Sequence, residues 1–455
     1  MERNDIGEII DNIVIVPDTN ILLYLYKCSF NTSQNIVELL NKVKEKMIIP
    51  SRVNEEYHSH KDEEQAKIDR KYETFTKDLI KLVKDLKGTI GEKIAESRKY
   101  DFPDCDALEI GINNFFDETS RVITTYDTSL SDEKQNKSAQ ISNVEQLIRY
   151  WESMDKILPE PNINQIMEYV KEGEFRYRYK MPPGYMDEEK EKEGRKDDFD
   201  ARIRKYGDLF VWKEIIDIGK SATEKTLLFL TNDVKEDWWI LRGEQKNREA
   251  VRMREELRKE YIVATGSDKI EFMTLPKFYE LFSSFYESCD INTILELDCQ
   301  EYVRNKIYTD YRIRIEEEIE EEITKIEWTD IDTDFDNVGH SEVNIDEIQL
   351  EEISLHYDDD GEAALYDIKI SAQTYPIDLT NVEHDMEFLK ASIELKIFLY
   401  IQIQRDLLNL EEDAIIFKDF NYEVISNRDA WEVYLEAEEN GRAEANDTLE
   451  DYYNH

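Results

Sequence analysis

Consecutive apolar positions come first in the pattern: Ile13-Val14-Ile15-Val16 runs unbroken into Pro17-Asp18-Thr19-Asn20. β-Branched residues without alternation predict a central parallel strand, apolar on both faces. A second run, Leu227 to Leu230, closes on Thr231-Asn232-Asp233, and Ile270–Leu275 predicts a further strand. Met47-Ile48-Ile49-Pro50 looks like the strand that follows the first in chain order. Between these runs the apolar spacing changes to three and four. Helices are predicted around 34–46, with Thr32 or Ser33 as N-cap, and near 203–219, 245–260 and 276–287. A long charged helix is predicted from about Arg52 to Lys87, with Leu79, Leu82, Val83 and Leu86 on one face. This alternation over residues 1–290 predicts an α/β fold, a parallel sheet in a three-layer sandwich.

The alternation breaks between about 100 and 205, which is expected to be an insertion. Arg121–Thr125 reads as a strand or a loop, Ile141–Met154 as a helix, and Asp187–Arg204 as a charged surface segment. From about Gln300 the style changes, and segments such as Tyr366–Ile370 and Ser392–Ile397 have the period of two that marks half-buried antiparallel strands. A separate β-rich (α+β) domain is expected over 300–440, followed by an acidic tail over 441–455. The acid run Glu316–Glu322, interrupted by Ile319, reads as a solvated face rather than a metal site.

Composition narrows the class. At 455 residues the chain exceeds one ordinary core, and 40% hydrophobic residues support packing despite 36% charge. Four scattered cysteines, none in a C-x-x-C pair, argue against a zinc or disulfide framework. With no signal peptide pattern and no membrane-length apolar run, a cytoplasmic chain without a membrane partner is expected. Charge is unevenly divided: residues 296–455 hold 45 Asp and Glu against 12 Lys and Arg, a net −33, leaving −13 for the remainder. A phosphate backbone would be repelled by the C-terminal third, so nucleic-acid contact is expected in the N-terminal part.

Carboxylates at strand ends carry the candidate chemistry. Asp18 ends the first strand, and Asp233 ends a later one, with Asp237 one helical turn on. Glu55 and Glu56 lie early in the helix after Pro50, and Asp208, in Tyr206-Gly207-Asp208-Leu209, lies near the start of the helix predicted near 203–219. Open α/β sheets place ligands at the carboxyl ends of their strands, and hard divalent cations take oxygen ligands. Each acid also has a bland account as a turn residue, helix cap or surface charge.

In order, D-T-N, P-x-x-V-x-x-E, G-D and T-N-D resemble the acidic motifs of PIN-domain nucleases. More specifically the chain is similar to a bacterial PIN-like family with a long insertion bearing R-Y-x-x-x-x-P-P-G-Y-x-D, here Arg176 to Asp187. The resemblance covers about residues 10–287. It implies a nuclease using Mg²⁺ or Mn²⁺, with Asp18, Glu56, Asp208 and Asp233 as metal-binding catalytic acids. Glu56 is chosen over Glu55 because it falls six residues after Pro50. Asn20 and Thr231 would orient groups at the site, and Asp237 would be an outer carboxylate.

Arg176, Arg178, Tyr185 and Lys235 are the substrate-binding candidates, bases for phosphate with an aromatic for stacking. The competing account of the Pro182-Pro183-Gly184-Tyr185 segment is a rigid loop packed on the sheet, its arginines paired to the protein's own acids. His58 and His60 read as a solvated helix face, and Trp238-Trp239 as core packing. The expected function is phosphodiester hydrolysis, of RNA before DNA. The rival readings are a catalytically idle PIN-like binding module and an acidic nucleic-acid mimic that engages a basic protein.

Overall fold

The structure, a computed structural model, describes residues 7, 10–100, 102, 104–187, 203–243, 247–332, 335, 338–383 and 386–435. Most of the charged segment after Asp187 (188–202) and the acidic tail lie outside the described residues. The chain divides into two compact units, residues 1–243 with 248–297, and residues 244–247 with 298–455.

Three parallel strands centre the first unit: β1 (Ile13–Pro17), β2 (Thr226–Leu230) and β5 (Ile270–Met273), ordered β1-β2-β5. β1 is buried at all five positions, as an unbroken apolar run requires. Met47–Pro50 does lie beside β1, but as isolated bridges (Ile15 to Met47, Ile49 to Ile157) rather than a strand. Helices α1 (Thr19–Lys27), α2 (Phe30–Val43), α3 (Ser51–Arg98), α4 (Cys105–Ser153), α5 (Ile163–Arg178) and α6 (Gly207–Ser221) fall between β1 and β2. A hairpin, β3 (Trp239–Arg242) and β4 (Glu249–Met253), precedes α7 (Glu255–Thr265), and α8 (Leu275–Phe285) follows β5. One core collects β1, β2 and β5 with Ile36 and Leu40 of α2, Trp151 of α4, Trp212 of α6 and Phe278 of α8.

Three of these expectations are corrected. Ser29 caps α2, not Thr32 or Ser33: its hydroxyl accepts the Thr32 amide, and Glu296 accepts both the Ser29 amide and the Thr32 hydroxyl. The helix placed at 245–260 begins only at Glu255, because 239–253 form the β3–β4 hairpin. Arg121–Thr125 is helical, inside α4. The Thr124 and Thr125 hydroxyls bond back to the carbonyls of Ser120 and Arg121, and pairing of α4 with α3 overrides local β-propensity. Leu82 and Leu86, on the predicted face of α3, are 65% and 54% exposed.

Glu214 of α6 ties the start of α3 to the core. Its buried carboxylate accepts the amides of Ser51 (3.1 Å) and Arg52 (3.3 Å) and the Ser51 hydroxyl. Burial outweighs these bonds and pushes the carboxyl up to about 7. Since the folded form keeps its proton through a range where the unfolded one has lost it, stability falls as pH rises from about 4.5 to about 7. Glu214→Gln is expected to flatten that part of the curve, read from urea midpoints at pH 5 and pH 8.

Within the second unit, β6 (Gly339–His340), β7 (Ile345–Tyr357), β8 (Ala363–Thr374), β9 (Ile377–Glu383), β10 (Met386–Asp406) and β11 (Asp413–Asp429) form one antiparallel sheet. The long β10 pairs with β9 and then β8 along its length, and with β11. Alternate residues of β10 from Ile393 to Ile403 are buried, the period of two in the sequence. α9 (Ile291–Asn305) spans the boundary between the units. α10 (Arg312–Thr324) carries the acid run: Ile315, Ile319 and Ile323 are buried at every fourth position, and the acids occupy the other faces.

Candidate functional site

Parallel pairing sets Pro17 opposite Leu230, so Asp18 and Thr231 leave adjacent strand ends side by side. The Asp18 amide donates to the Leu230 carbonyl at 2.8 Å. Asp18 caps α1 by accepting the Thr19 amide (2.7 Å). Its other oxygen accepts Asn20 Nδ2 (2.6 Å) and the Thr231 hydroxyl (2.7 Å). Asn20 also accepts the Asn232 amide at 3.0 Å, and Thr231 Oγ1 accepts the Asp233 amide at 3.1 Å. Asn20 and Thr231 thus tie the two strand ends together.

The other acids come from helices and a loop. Glu56, half-buried on α3, accepts the Thr19 hydroxyl (2.9 Å) and pairs with Arg52 Nε (2.9 Å), whereas Glu55 is exposed. Asp208, at the start of α6, accepts Trp238 Nε1 at 3.2 Å. Gly207 beside it admits Glu56 closely: a Cβ there would stand 3.2 Å from Glu56 Oε1. Asp233 pairs with Lys235 at 2.7 Å, and Lys235 also pairs with Asp187 at 3.0 Å. Asp187 was not among the sequence candidates, although it closes the very motif that pointed to the family. Arg52 and Thr19, which engage Glu56, were missed as well; the i, i+4 spacing of Arg52 and Glu56 was the available signal.

Asp237 is fully buried. One oxygen accepts the amides of Gly184 (2.9 Å) and Met186 (3.2 Å), clamping the P-P-G-Y loop over the strand ends. Its other oxygen, Oδ1, has no hydrogen-bond partner among the described residues. Gly184 has φ +90°, and a Cβ there would come within 2.5 Å of the Tyr177 hydroxyl and 3.1 Å of Asp208 Cβ, so only glycine fits.

Electrostatics follow from crowding acids in a half-buried crevice. Burial, with Glu56 and Asp233 nearby, pushes the Asp18 carboxyl up to about 6. Asp208 is raised well above the usual range by burial and by Asp187, Asp18 and Asp233. Burial by itself would lower Lys235, but Asp208, Asp233 and Asp187 outweigh it and keep the ammonium charged far up the scale.

The substrate-binding candidates separate. Arg176 is corrected: it is 2% exposed, paired with Glu172 and Glu260, and donates to the Pro182 carbonyl. Its guanidinium is consumed in packing the loop and is not presented to a phosphate. Arg178, two residues on, is exposed. Tyr185 is half-buried beside Glu236 and Arg254. Lys235 lies among the acids. Trp238 and Trp239 pack in the core against Phe272. His58 and His60 are exposed on α3 near Glu152 and Glu63.

The oxygen-rich donor set suits a hard divalent cation, and the unpartnered, buried Asp237 Oδ1 is consistent with one. The spacing is another matter. Among the described residues, no group of three or more His, Cys, Asp or Glu side chains stands close enough to hold a metal ion. Lys235 takes the place of a cation between Asp187 and Asp233.

The family described as a PIN-like domain matches residues 14–257, more than half of the chain. The chain belongs to the PIN-like domain family. No curated protein and no solved structure matches it. The family match spans the strand ends that carry Asp18 and Asp233 and the helices that carry Glu56 and Asp208. No helix among the described residues is long and apolar enough to cross a membrane.

Proposed function

We propose that the PIN-like unit is a Mg²⁺- or Mn²⁺-dependent nuclease that hydrolyses phosphodiester bonds, RNA before DNA. The observation that carries this reading is the meeting of Asp18, Thr231 and Asp233 at two adjacent parallel strand ends, with Asp208, Glu56 and Asp187 brought beside them. Asp18, Glu56, Asp208 and Asp233 are the proposed metal-holding acids, with Asp187 added from its place beside Lys235 and Asp208. A divalent ion bound there would supply an activated water and neutralise charge gathering on the phosphoryl oxygens.

The residues themselves contribute the rest. Asn20 and Thr231 fix the rotamer of Asp18. Asp237 holds the P-P-G-Y loop beside the acids. Lys235 is a counter-charge to the cluster and, once an ion takes over that task, is available to a substrate phosphate. Exposed Arg178 and half-buried Tyr185 are the remaining substrate contacts proposed. The experiment is cleavage of defined single-stranded RNA and DNA with Mn²⁺, with Mg²⁺ and with EDTA. Cleavage that EDTA stops supports the reading, and none with either metal refutes it.

A second reading is favoured by one observation: Lys235 neutralises Asp187 and Asp233 while, among the described residues, no three acids gather closely enough to hold a metal ion. In that reading the fold is an idle binding module. Retained RNA binding without cleavage is its signature.

The second unit is proposed as an acidic accessory domain that restrains the nuclease or recognises a basic protein, in a cytoplasmic setting. Glu296 bonds Ser29 and Thr32, and Thr293 bonds Asn35, so the start of α9 belongs with the nuclease. A truncation is therefore best made after Leu297. It is expected to cut RNA at least as fast as the full chain at low salt, where repulsion is least screened. A soluble truncation that cuts clearly more slowly would refute restraint.

A further inference from the structure

α3 and α4 are 48 and 49 residues long, each about 70 Å at 1.5 Å per residue. Among the described residues, only Val53 and Tyr57 of α3, and α4 from Ile141 onward, enter the hydrophobic core of their unit. Beyond that they run antiparallel against each other. Thr76 bonds Asp127 (2.7 Å), Lys87 pairs with Asp117 (2.8 Å) and Arg98 pairs with Asp106 (2.7 Å). Thr76, Ile94 and Phe116 are buried along this seam.

A second apolar stripe lies outside the seam. On α3 it consists of Phe75, Leu82 and Leu86, spaced seven and four and 46–65% exposed. On α4 it consists of Leu108, Phe115, Val122 and Tyr126, spaced seven, seven and four and 51–66% exposed. These are heptad intervals, the repeat by which helices pack on helices. Phe75 and Phe115 each precede a buried seam residue, Thr76 and Phe116. Equal displacement in two antiparallel helices puts both stripes on the same face of the pair. The Phe75 and Tyr126 rings, 6.2 Å apart, meet at one end of it.

Seven side chains, each more or less half exposed, offer about 100 Å² apiece and about 700 Å² together. That exceeds the usual largest apolar patch of a monomer, about 300–600 Å². Covered by an identical surface it gives about 1,400 Å², within the range of stable specific interfaces, about 1,200–2,000 Å². Charges beside the stripe are of both signs: Asp78, Lys81 and Asp85 on α3, and Glu118 paired with Arg121 on α4. A nucleic acid or an anionic lipid surface calls for a basic border, which this is not.

We infer that the distal α3–α4 hairpin is a homodimerisation arm, its stripe covered by the same stripe of a second copy in an antiparallel four-helix arrangement. Two copies related by a two-fold axis bury one patch against itself and leave no unfilled surface. This does not depend on the nuclease reading.

Light scattering and sedimentation of the full chain at micromolar concentrations test it. The expected mass is twice 54.1 kDa. Leu82→Glu combined with Val122→Glu is expected to halve the mass with unchanged far-UV circular dichroism, since neither side chain is buried. Leu82→Ala with Val122→Ala adds no charge and is expected to weaken association at least tenfold, which keeps the test decisive if the Glu variant loses helix. A wild-type monomer at every concentration, or a dimer unaffected by both variants, overturns the inference; so does a monomer that associates only with a different protein.

Discussion

Asp18→Asn is expected to lower cleavage by at least about a hundredfold while raising the thermal stability of the metal-free protein above pH 6. Loss of one preorganised charge at a reacting centre is commonly worth that much in rate. The stability effect has the opposite sign for a physical reason. Burial and the neighbouring acids lift the Asp18 carboxyl from 3.8 to about 6, so the folded state holds a proton that the unfolded state has released. Stability therefore falls as pH climbs from about 4 to about 6, and above that the ionised carboxylate is a standing penalty. At 1.36 kcal/mol per pKa unit the penalty is on the order of 3 kcal/mol. An amide offers only one acceptor oxygen where the carboxylate serves the Thr19 amide, Asn20 and Thr231, which returns about 1 kcal/mol. A melting temperature a few degrees higher at pH 8, and no gain at pH 4, is the expected outcome. Near-wild-type cleavage by this variant would remove Asp18 from the site. An unchanged melting temperature at both pH values would show that the acids are not strained without metal.

Arg176→Ala is expected to be among the most destabilising single changes in the PIN-like unit, about 3–5 kcal/mol, whereas Arg178→Ala leaves stability unchanged. Arg176 is buried between Glu172 and Glu260, and its guanidinium also holds the Pro182 carbonyl. Lys213 and Trp212 bond the same Glu260, at 3.1 Å and 3.0 Å. Removing the arginine leaves a cavity at a buried position and the partly buried Glu260 carboxylate short of its closest partner, the costly way to break an ion pair. The loop that Asp237 clamps would loosen, and cleavage would fall indirectly. Arg178 is exposed, so its loss is expected to weaken RNA binding and flatten its salt dependence by about one counterion. Urea titration together with binding at several salt concentrations separates the two. If Arg176→Ala keeps the wild-type urea midpoint but flattens the salt dependence, Arg176 is a phosphate contact after all.

The pair of arginines shows where local pattern stops being informative. Both stand in one R-Y-R-Y stretch, and nothing local distinguishes them. Their positions on α5 turn Arg176 toward Glu260, 84 residues away, and Arg178 toward solvent. Asp187 is similar: it closes a motif, yet only the loop clamped by Asp237 brings it to Lys235. Leu82 and Leu86 sit on a correct helical face, but periodicity specifies a face and not what covers it.

By itself the sequence determined the features that depend on short-range stereochemistry. An unbroken apolar run must be buried on both faces, which located β1 and β2, and with them Asp18, Thr231 and Asp233 at their carboxyl ends. The period of two in Tyr366–Ile370 and Ser392–Ile397 marked the antiparallel sheet, because side-chain alternation is a property of the strand itself. Only the tertiary structure decided which charges are paired and which stand free for a ligand. Lys235 lies between Asp187 and Asp233, Arg176 is sealed under the loop, and α4 is helical where Thr-rich residues suggested otherwise. Those outcomes depend on desolvation and on partners tens to hundreds of residues distant, and such free energies are set by the fold as a whole.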